Sequence, residues 1–398
     1  MNELPARPKK RRRRRKPNWP LWSLIAALIA ICCGYVLASI TPYLGDDYRF
    51  NDLLPPRLLD LFVAVWFFWF GSSIGSFLNV VAWRVPRGRS INGHSGCPFC
   101  GTPIRFQDNV PVFGWMKLRG RCRACRLPIA ARYPIVEVSV GLTVMLVGLF
   151  GVYTGGENLP FATPKLLSDS PLRMPVISGE DIAINVYHLL MLSSLWALAL
   201  IRFDGFRLPP KLVRFILIAA AVPVVAWPKL QQVPWQMATL PGWNNQSHLV
   251  AFFYVITGIA AAVLLARIIG RYACPTADPK LDPLGKETAR LIDLIVLLLI
   301  PGIVLGWHAL IAISVVSIVA AGILRRLFIG RDGFHWFIVS LPVMMSLHLA
   351  AWRTLSQWTA WPAPNHRPVV FIAWLAAALI LSVDLKATAA PNRDPQIE

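Results

Sequence analysis

Apolar residues in this chain run in long blocks, separated by short polar or proline-containing stretches, rather than in the narrow stripes of soluble helices. The blocks are 19–40, 60–83, 134–155, 182–201, 211–227, 248–269, 291–307, 308–324, 335–352 and 368–384. Each holds about 17–25 residues, enough to cross a hydrocarbon core of roughly 30 Å as a helix. In lipid every backbone polar group must be paired within its own segment, so helices are the expected element. The pattern predicts an all-α polytopic membrane protein of about ten transmembrane helices. The break between 291–307 and 308–324 is the least distinct.

Composition agrees with this pattern: 56% of the 398 residues are hydrophobic and only 15% are charged. The net charge of +20 raises nucleic acid as a partner, and the placement of that charge argues against it. Arg and Lys crowd residues 9–16 (KKRRRRRK), 84–133, 202–214, 267–290 and 325–331, whereas 41–59, 156–181, 228–247 and 353–367 hold few. Alternation of basic and non-basic loops is the positive-inside pattern. It predicts a cytoplasmic N-terminus, a cytoplasmic 84–133 loop and a cytoplasmic C-terminal tail. The basic head then reads as a topology anchor attracted to anionic lipid, and no nucleic-acid partner is expected. The first apolar block has no small-residue cleavage site, so a removed signal peptide is not expected either.

The organisation that follows is a basic tail (1–18), two transmembrane helices (19–83), a cytoplasmic loop domain (84–133), a helical membrane domain (134–384) and a polar tail (385–398). The loop domain holds CPFC (Cys97, Cys100) and CRAC (Cys122, Cys125), with 21 residues between the pairs. Two CxxC knuckles at this distance are the pattern of a four-thiolate zinc site, and four protein ligands make it structural. Disulfides are not expected in the cytoplasm. Four unliganded thiols, or a redox pair, are the alternative. Some fifty residues bury too little apolar surface to fold alone, so metal would supply most of the folding energy. Cys32, Cys33 and Cys274 read as packing or loop residues. Glu137 lies about one turn inside the span that follows the loop, where a buried acid is costly and often functional; an acid snorkelling to the interface is the other reading.

The run GSFLNVVAWRVPRG (75–88) and the loop after it resemble the N-terminal region of bacterial prepilin leader peptidases. Two knuckles, Asp108-Asn109 with Pro111, Trp115 to Cys122, and Arg132 to Glu137 (RYPIVE) carry that resemblance over 71–142. It implies a membrane aspartic endopeptidase that cleaves leaders of type IV pilin or type II secretion pseudopilin precursors. Many members then methylate the new N-terminus with S-adenosylmethionine, an activity linked with this same region. The inner membrane of a bacterium is the implied location. Block 19–40 departs from the family, which starts with one span; two crossings still return the loop to the cytoplasm.

Aspartic proteases need two carboxylates that share one proton. The family's first aspartate lies in a pattern like I-D-x-D-x-x-x-L-P-D. Residues 201–210, IRFDGFRLPP, fill its ten places with Arg202 at the catalytic position, Asp204 at the second, non-catalytic aspartate and Pro210 at the last. The family's second aspartate closes a G-x-G-D. Its best counterpart is Asp293 in RLID (290–293), one residue out of register from Trp307 and without the glycines; Asp332 is a weaker rival. Either Asp204 has shifted into the role and pairs with Asp293, or the dyad is lost because Arg202 holds a neighbouring carboxylate ionised. The second outcome is favoured. Three functions follow as expectations: a prepilin-peptidase-like protein of impaired cleavage, a non-catalytic partner that binds pilin-like precursors, or a methyltransferase alone. Asp204 beside Arg202 or Arg207, and Asp293 in the first turn of a span, also have plain structural readings as capping or dipole residues.

Overall fold

A computed structural model describes residues 19–44, 48–97, 99–159, 176–231, 247–277, 282, 284–328, 330–363 and 366–385. The expected tails at 1–18 and 386–398 lie outside the described residues. Among those described there is no strand ladder, only isolated bridges. The helices are α1 (Trp19–Ile40), α2 (Phe50–Arg84), α3 (Phe113–Leu118), α4 (Arg132–Gly148), α5 (Gly179–Phe203), α6 (Pro210–Ala226), α7 (His248–Ala273), α8 (Lys286–Leu327), α9 (Gly333–Gln357) and α10 (Pro368–Leu381). Eight of the helical segments are long and apolar enough to cross a membrane. The all-α membrane architecture expected from the apolar blocks is therefore present, with differences in how the spans are counted.

Block 211–227 is the 17-residue α6, which is not among the eight. Blocks 291–307 and 308–324 are joined in one 42-residue run, α8, interrupted at Gly306 (φ 80°, ψ 168°). Straight, α8 would set residue 327 about 55 Å from residue 290 at 1.5 Å per residue. Yet Arg290 donates to Asp332, only five residues beyond Leu327, at 2.9 Å. Five residues of chain reach roughly 18 Å at most, so α8 must double back at Gly306. The neighbours agree. Tyr254 of α7 donates to Val304 at 2.8 Å before the turn, and Arg325 after it donates to Asp384 at 2.8 Å, just past α10. An apolar run shows no charge at such a reversal, which is why the boundary is faint in the sequence.

Gly306 also carries a prediction. Its backbone lies where only glycine is comfortable, and a Cβ there would sit 2.7 Å from the Tyr254 ring. Gly306→Ala is expected to cost on the order of 1–3 kcal/mol from backbone strain, before any movement of Tyr254. Melting in detergent should show it, with Gly34→Ala, which meets no atom within 4 Å, as the silent control.

α2 starts at Phe50, ten residues before its apolar block. The polar extension is anchored: Asp60 accepts from Tyr35 of α1 and from Tyr153, at 2.7 Å each, and is bridged by Arg57 at 3.2 Å. α2 and α4 then approach closely where Gly71 and Gly75, one turn apart, face α4. A Cβ on Gly71 would meet Val144 at 2.6 Å, and one on Gly75 would meet the Glu137 backbone at 2.9 Å. Small residues four apart let helix backbones touch in lipid, where hydrophobic burial does not drive association. This contact sets the two ends of the 84–133 loop side by side.

Candidate metal centre and the arginine-paired acids

The two knuckles fold alike. Gly101 N–H donates to Cys97 at 2.9 Å and Arg126 N–H to Cys122 at 3.1 Å, while Cys97 and Cys122 donate to Thr102 and Leu127. Gly101 and Arg126, each four residues past the first cysteine, both have left-handed backbone (φ 68° and 65°). A bridge closes each turn, Gly96 with Pro103 and Arg121 with Pro128. The shared signature C-x-x-C-x-x-P is legible in the sequence as a short repeat, 97–103 and 122–128. The pairing of knuckles brings the four sulfurs within 4.8 Å of one another, with Cys97 to Cys125 at 3.8 Å and Cys100 to Cys122 at 3.9 Å. Sulfurs bound tetrahedrally at about 2.3 Å to zinc stand roughly 3.8 Å apart, so the donor set fits a thiolate-bound metal. Among the described residues this is the one such group of three or more metal-ligating side chains.

The rest of the loop is tied to this centre and to the helices. Asp108 is buried and accepts from Arg123 through two nitrogens at 2.5 Å each. That guanidinium holds the Asp108 carboxyl below its usual range. Trp115 donates to Ile129 at 3.0 Å, closing the stretch between the knuckles. Arg84, the last residue of α2, donates to the carbonyls of Ser90, Ile91, Asn92 and His94. Glu137 is not snorkelling: it is buried and accepts from Val112 N–H at 2.6 Å. Val112 has φ 61°, unusual for a β-branched residue, so the carboxylate holds a strained turn in place.

The candidate acids lie at the same end of the molecule. Asp204 caps the C-terminus of α5. Its partner is neither Arg202 nor Arg207 but Arg132, the first residue of α4, at 2.7 Å. Arg132 also donates to Asn79 of α2 at 3.2 Å, so one guanidinium joins the foot of the four-cysteine loop to α2 and α5. Burial pushes the Asp204 carboxyl up, against the pull of Arg132, Arg331 and Arg87; burial prevails despite the short ion pair. Asp293, in the second turn of α8, stands 3.2 Å from Arg202, both side chains largely buried. The two atoms are near but misaligned: neither Arg202 Nε nor Asp293 Oδ2 has a hydrogen-bond partner. We read the contact as coulombic pairing rather than as a hydrogen bond. Asp332 caps α9 and accepts from His335 and Arg290. Sequence reasoning did not single out Arg290 or the Arg132 contact, although RYPIVE contains Arg132; charge partners 72 residues apart leave no local pattern.

These features define a multi-pass membrane protein with a four-cysteine loop domain and an acid–arginine cluster at one end. Residues 69–150 of the chain match a family model, the Bacterial Peptidase A24 N-terminal domain, and the chain is similar to prepilin leader peptidase/N-methyltransferases over part of its length. It is 49% identical over 93 residues to a prepilin leader peptidase/N-methyltransferase of Myxococcus xanthus (strain DK1622), covering 23% of this chain and 28% of that protein. It is 40% identical over 98 residues to a type 4 prepilin-like proteins leader peptide-processing enzyme of Escherichia coli O78:H11, covering 20% and 36%. A prepilin leader peptidase/N-methyltransferase of Klebsiella pneumoniae is 37% identical over 108 residues, covering 25% and 47%. The chain thus spans less than half the length of each of these relatives. No solved structure matches.

Proposed function

We propose that this is a prepilin-peptidase-like protein of the bacterial inner membrane that engages the leader segment of pilin-like or pseudopilin precursors, and in which two-aspartate cleavage is disabled. The basic end would face the cytoplasm, as the loop charges require. Cys97, Cys100, Cys122 and Cys125 would hold zinc as a structural ion, and bound zinc would stabilise the loop rather than act on substrate. The observation that carries the reading is the separate pairing of the acids, Arg132 with Asp204 and Arg202 with Asp293. A dyad works when one carboxylate is ionised and the other keeps a proton, each sensing the other. Here each acid is engaged by its own guanidinium, and among the described residues no hydrogen bond joins Asp204 to Asp293 through which one proton could be shared.

Incubating the purified protein with a pilin-type precursor tests this. The precursor should co-purify and stay intact under conditions in which an active relative cleaves it. Cleavage abolished by Asp293→Asn would overturn the proposal in favour of a shifted dyad. A second reading, N-methylation with S-adenosylmethionine, is favoured by one observation: the family match covers the loop domain and its flanking helices, 69–150, and stops short of both acids. Calorimetric binding of S-adenosylmethionine to the zinc-loaded protein supports it; absence of binding removes it.

A further inference from the structure

Arg202 is left with unused hydrogen-bonding capacity. Its side chain is only 14% exposed, yet its guanidinium donates to no described residue. Its one close charge partner, Asp293, is misaligned at 3.2 Å. A guanidinium offers five donors in a fixed fork, and leaving it unmatched in a largely buried place is costly unless a ligand supplies the acceptors. The fork is also held still. Arg202 lies over the Phe334 ring at 5.6 Å, and Arg290 lies over the same ring at 4.2 Å. Arg290 Nε is unpartnered as well.

The surroundings favour an anion. Arg331 lies over Phe203, the residue after Arg202, at 5.1 Å, and Arg207 adds its charge near Asp293. Arg87 lies over Phe206 at 4.4 Å. With Arg132 and Arg290, six guanidiniums gather around Asp204, Asp293, Asp332 and Glu287, an excess of two positive charges. Asp332 is occupied by Arg290 and His335, and Glu287 lies 3.9 Å from Arg290. Asp293 is the carboxylate that competes directly for Arg202. Arg202 is in the last turn of α5, whose apolar stretch ends at Phe203, and a helix end of this kind would put its fork near the membrane boundary.

We propose that Arg202 is a binding residue for a phosphate oxyanion at the membrane boundary, with Arg331 and Arg207 as flanking cations. Planar forks take phosphate through two parallel N–H donations, the geometry that sets arginine apart from lysine. The phosphate comes either from a phospholipid headgroup or from a soluble phosphate. The site is independent of whether precursors are engaged or cleaved.

Full-length protein reconstituted in phosphatidylglycerol nanodiscs, then released for native mass spectrometry, reads retained lipid. The neutral double variant Arg202→Gln/Asp293→Asn leaves no stray buried charge and should lose retention on the order of ten-fold. Asp293→Asn alone removes the competing carboxylate and should raise retention above the unsubstituted protein, a gain that a merely structural pair would not give. In the second arm, inorganic phosphate is titrated calorimetrically into protein in neutral detergent. Phosphate binding that the double variant lacks, with lipid retention equal in all three proteins, assigns the site to a soluble phosphate. Equal retention and equal phosphate binding in all three proteins overturns the proposal. If the double variant fails to fold, the direction of the Asp293→Asn change decides alone.

Discussion

Replacing Cys122 by serine is expected to strip the metal from the protein and unfold the 84–133 loop while leaving the transmembrane helices standing. The loop's own ties are mostly single hydrogen bonds: Asp108 with Arg123, Trp115 with Ile129, Val112 with Glu137, Arg84 with the carbonyls of Ser90, Ile91, Asn92 and His94, and the backbone turns of the knuckles. Much of its apolar surface faces outward, and Phe106 is 91% exposed. Structural zinc sites contribute about 10–16 kcal/mol of apparent folding energy at neutral pH, far more than these contacts can replace. A serine hydroxyl is a poor ligand for zinc. Metal analysis should fall from one zinc per chain to near none, and trypsin should cut the arginine-rich stretch 119–126. A Cys122→Ser protein that keeps its zinc and its protease resistance would mean that the thiols are not a joint site.

Arg202→Ala should be the second large effect, this time on stability. Removing one member of a buried pair leaves the other as an uncompensated charge, which costs about 3–5 kcal/mol. Asp293 is 8% exposed in its side chain and has no other guanidinium in ion-pair contact. Because the pair is misaligned, the loss should fall toward the lower end, roughly 3 kcal/mol. Arg202→Ala/Asp293→Ala should recover most of that loss, since a cavity between two alanines is cheaper than a stranded carboxylate. Melting in detergent compares the three proteins; equal midpoints for single and double variants would show that the two charges are not coupled.

Much of this molecule can be read from the chain because membrane helices announce themselves by length. Each of the ten apolar blocks falls on a helix, two of them sharing α8, and the four clustered cysteines share a spacing that leaves few alternatives. What resisted reading depends on contacts across the fold. The reversal at Gly306 is one residue in an unbroken apolar run. The partner of Asp204 comes from Arg132, at the far end of the knuckle domain, whereas the nearby Arg202 and Arg207 look equally suitable in sequence. The place of Arg202 in the leader-peptidase pattern was legible; that its partner is Asp293 required α5 and α8 to be side by side. Glu137 shows the same limit, since a strained Val112 turn is invisible until the loop is closed.

The reversal at Gly306 also fixes the parity of everything after it. Were α8 to run on as one rod, α9, α10 and the chain beyond would change sides of the bilayer together. Arg325, Arg326 and Arg331 would then move away from the other cationic loops. The reversal at residue 306 therefore decides on which side a reporter fused after residue 330 would be found. The charge pattern and the backbone at position 306 are two records of the same topology, and neither can be altered alone without setting the membrane against the fold.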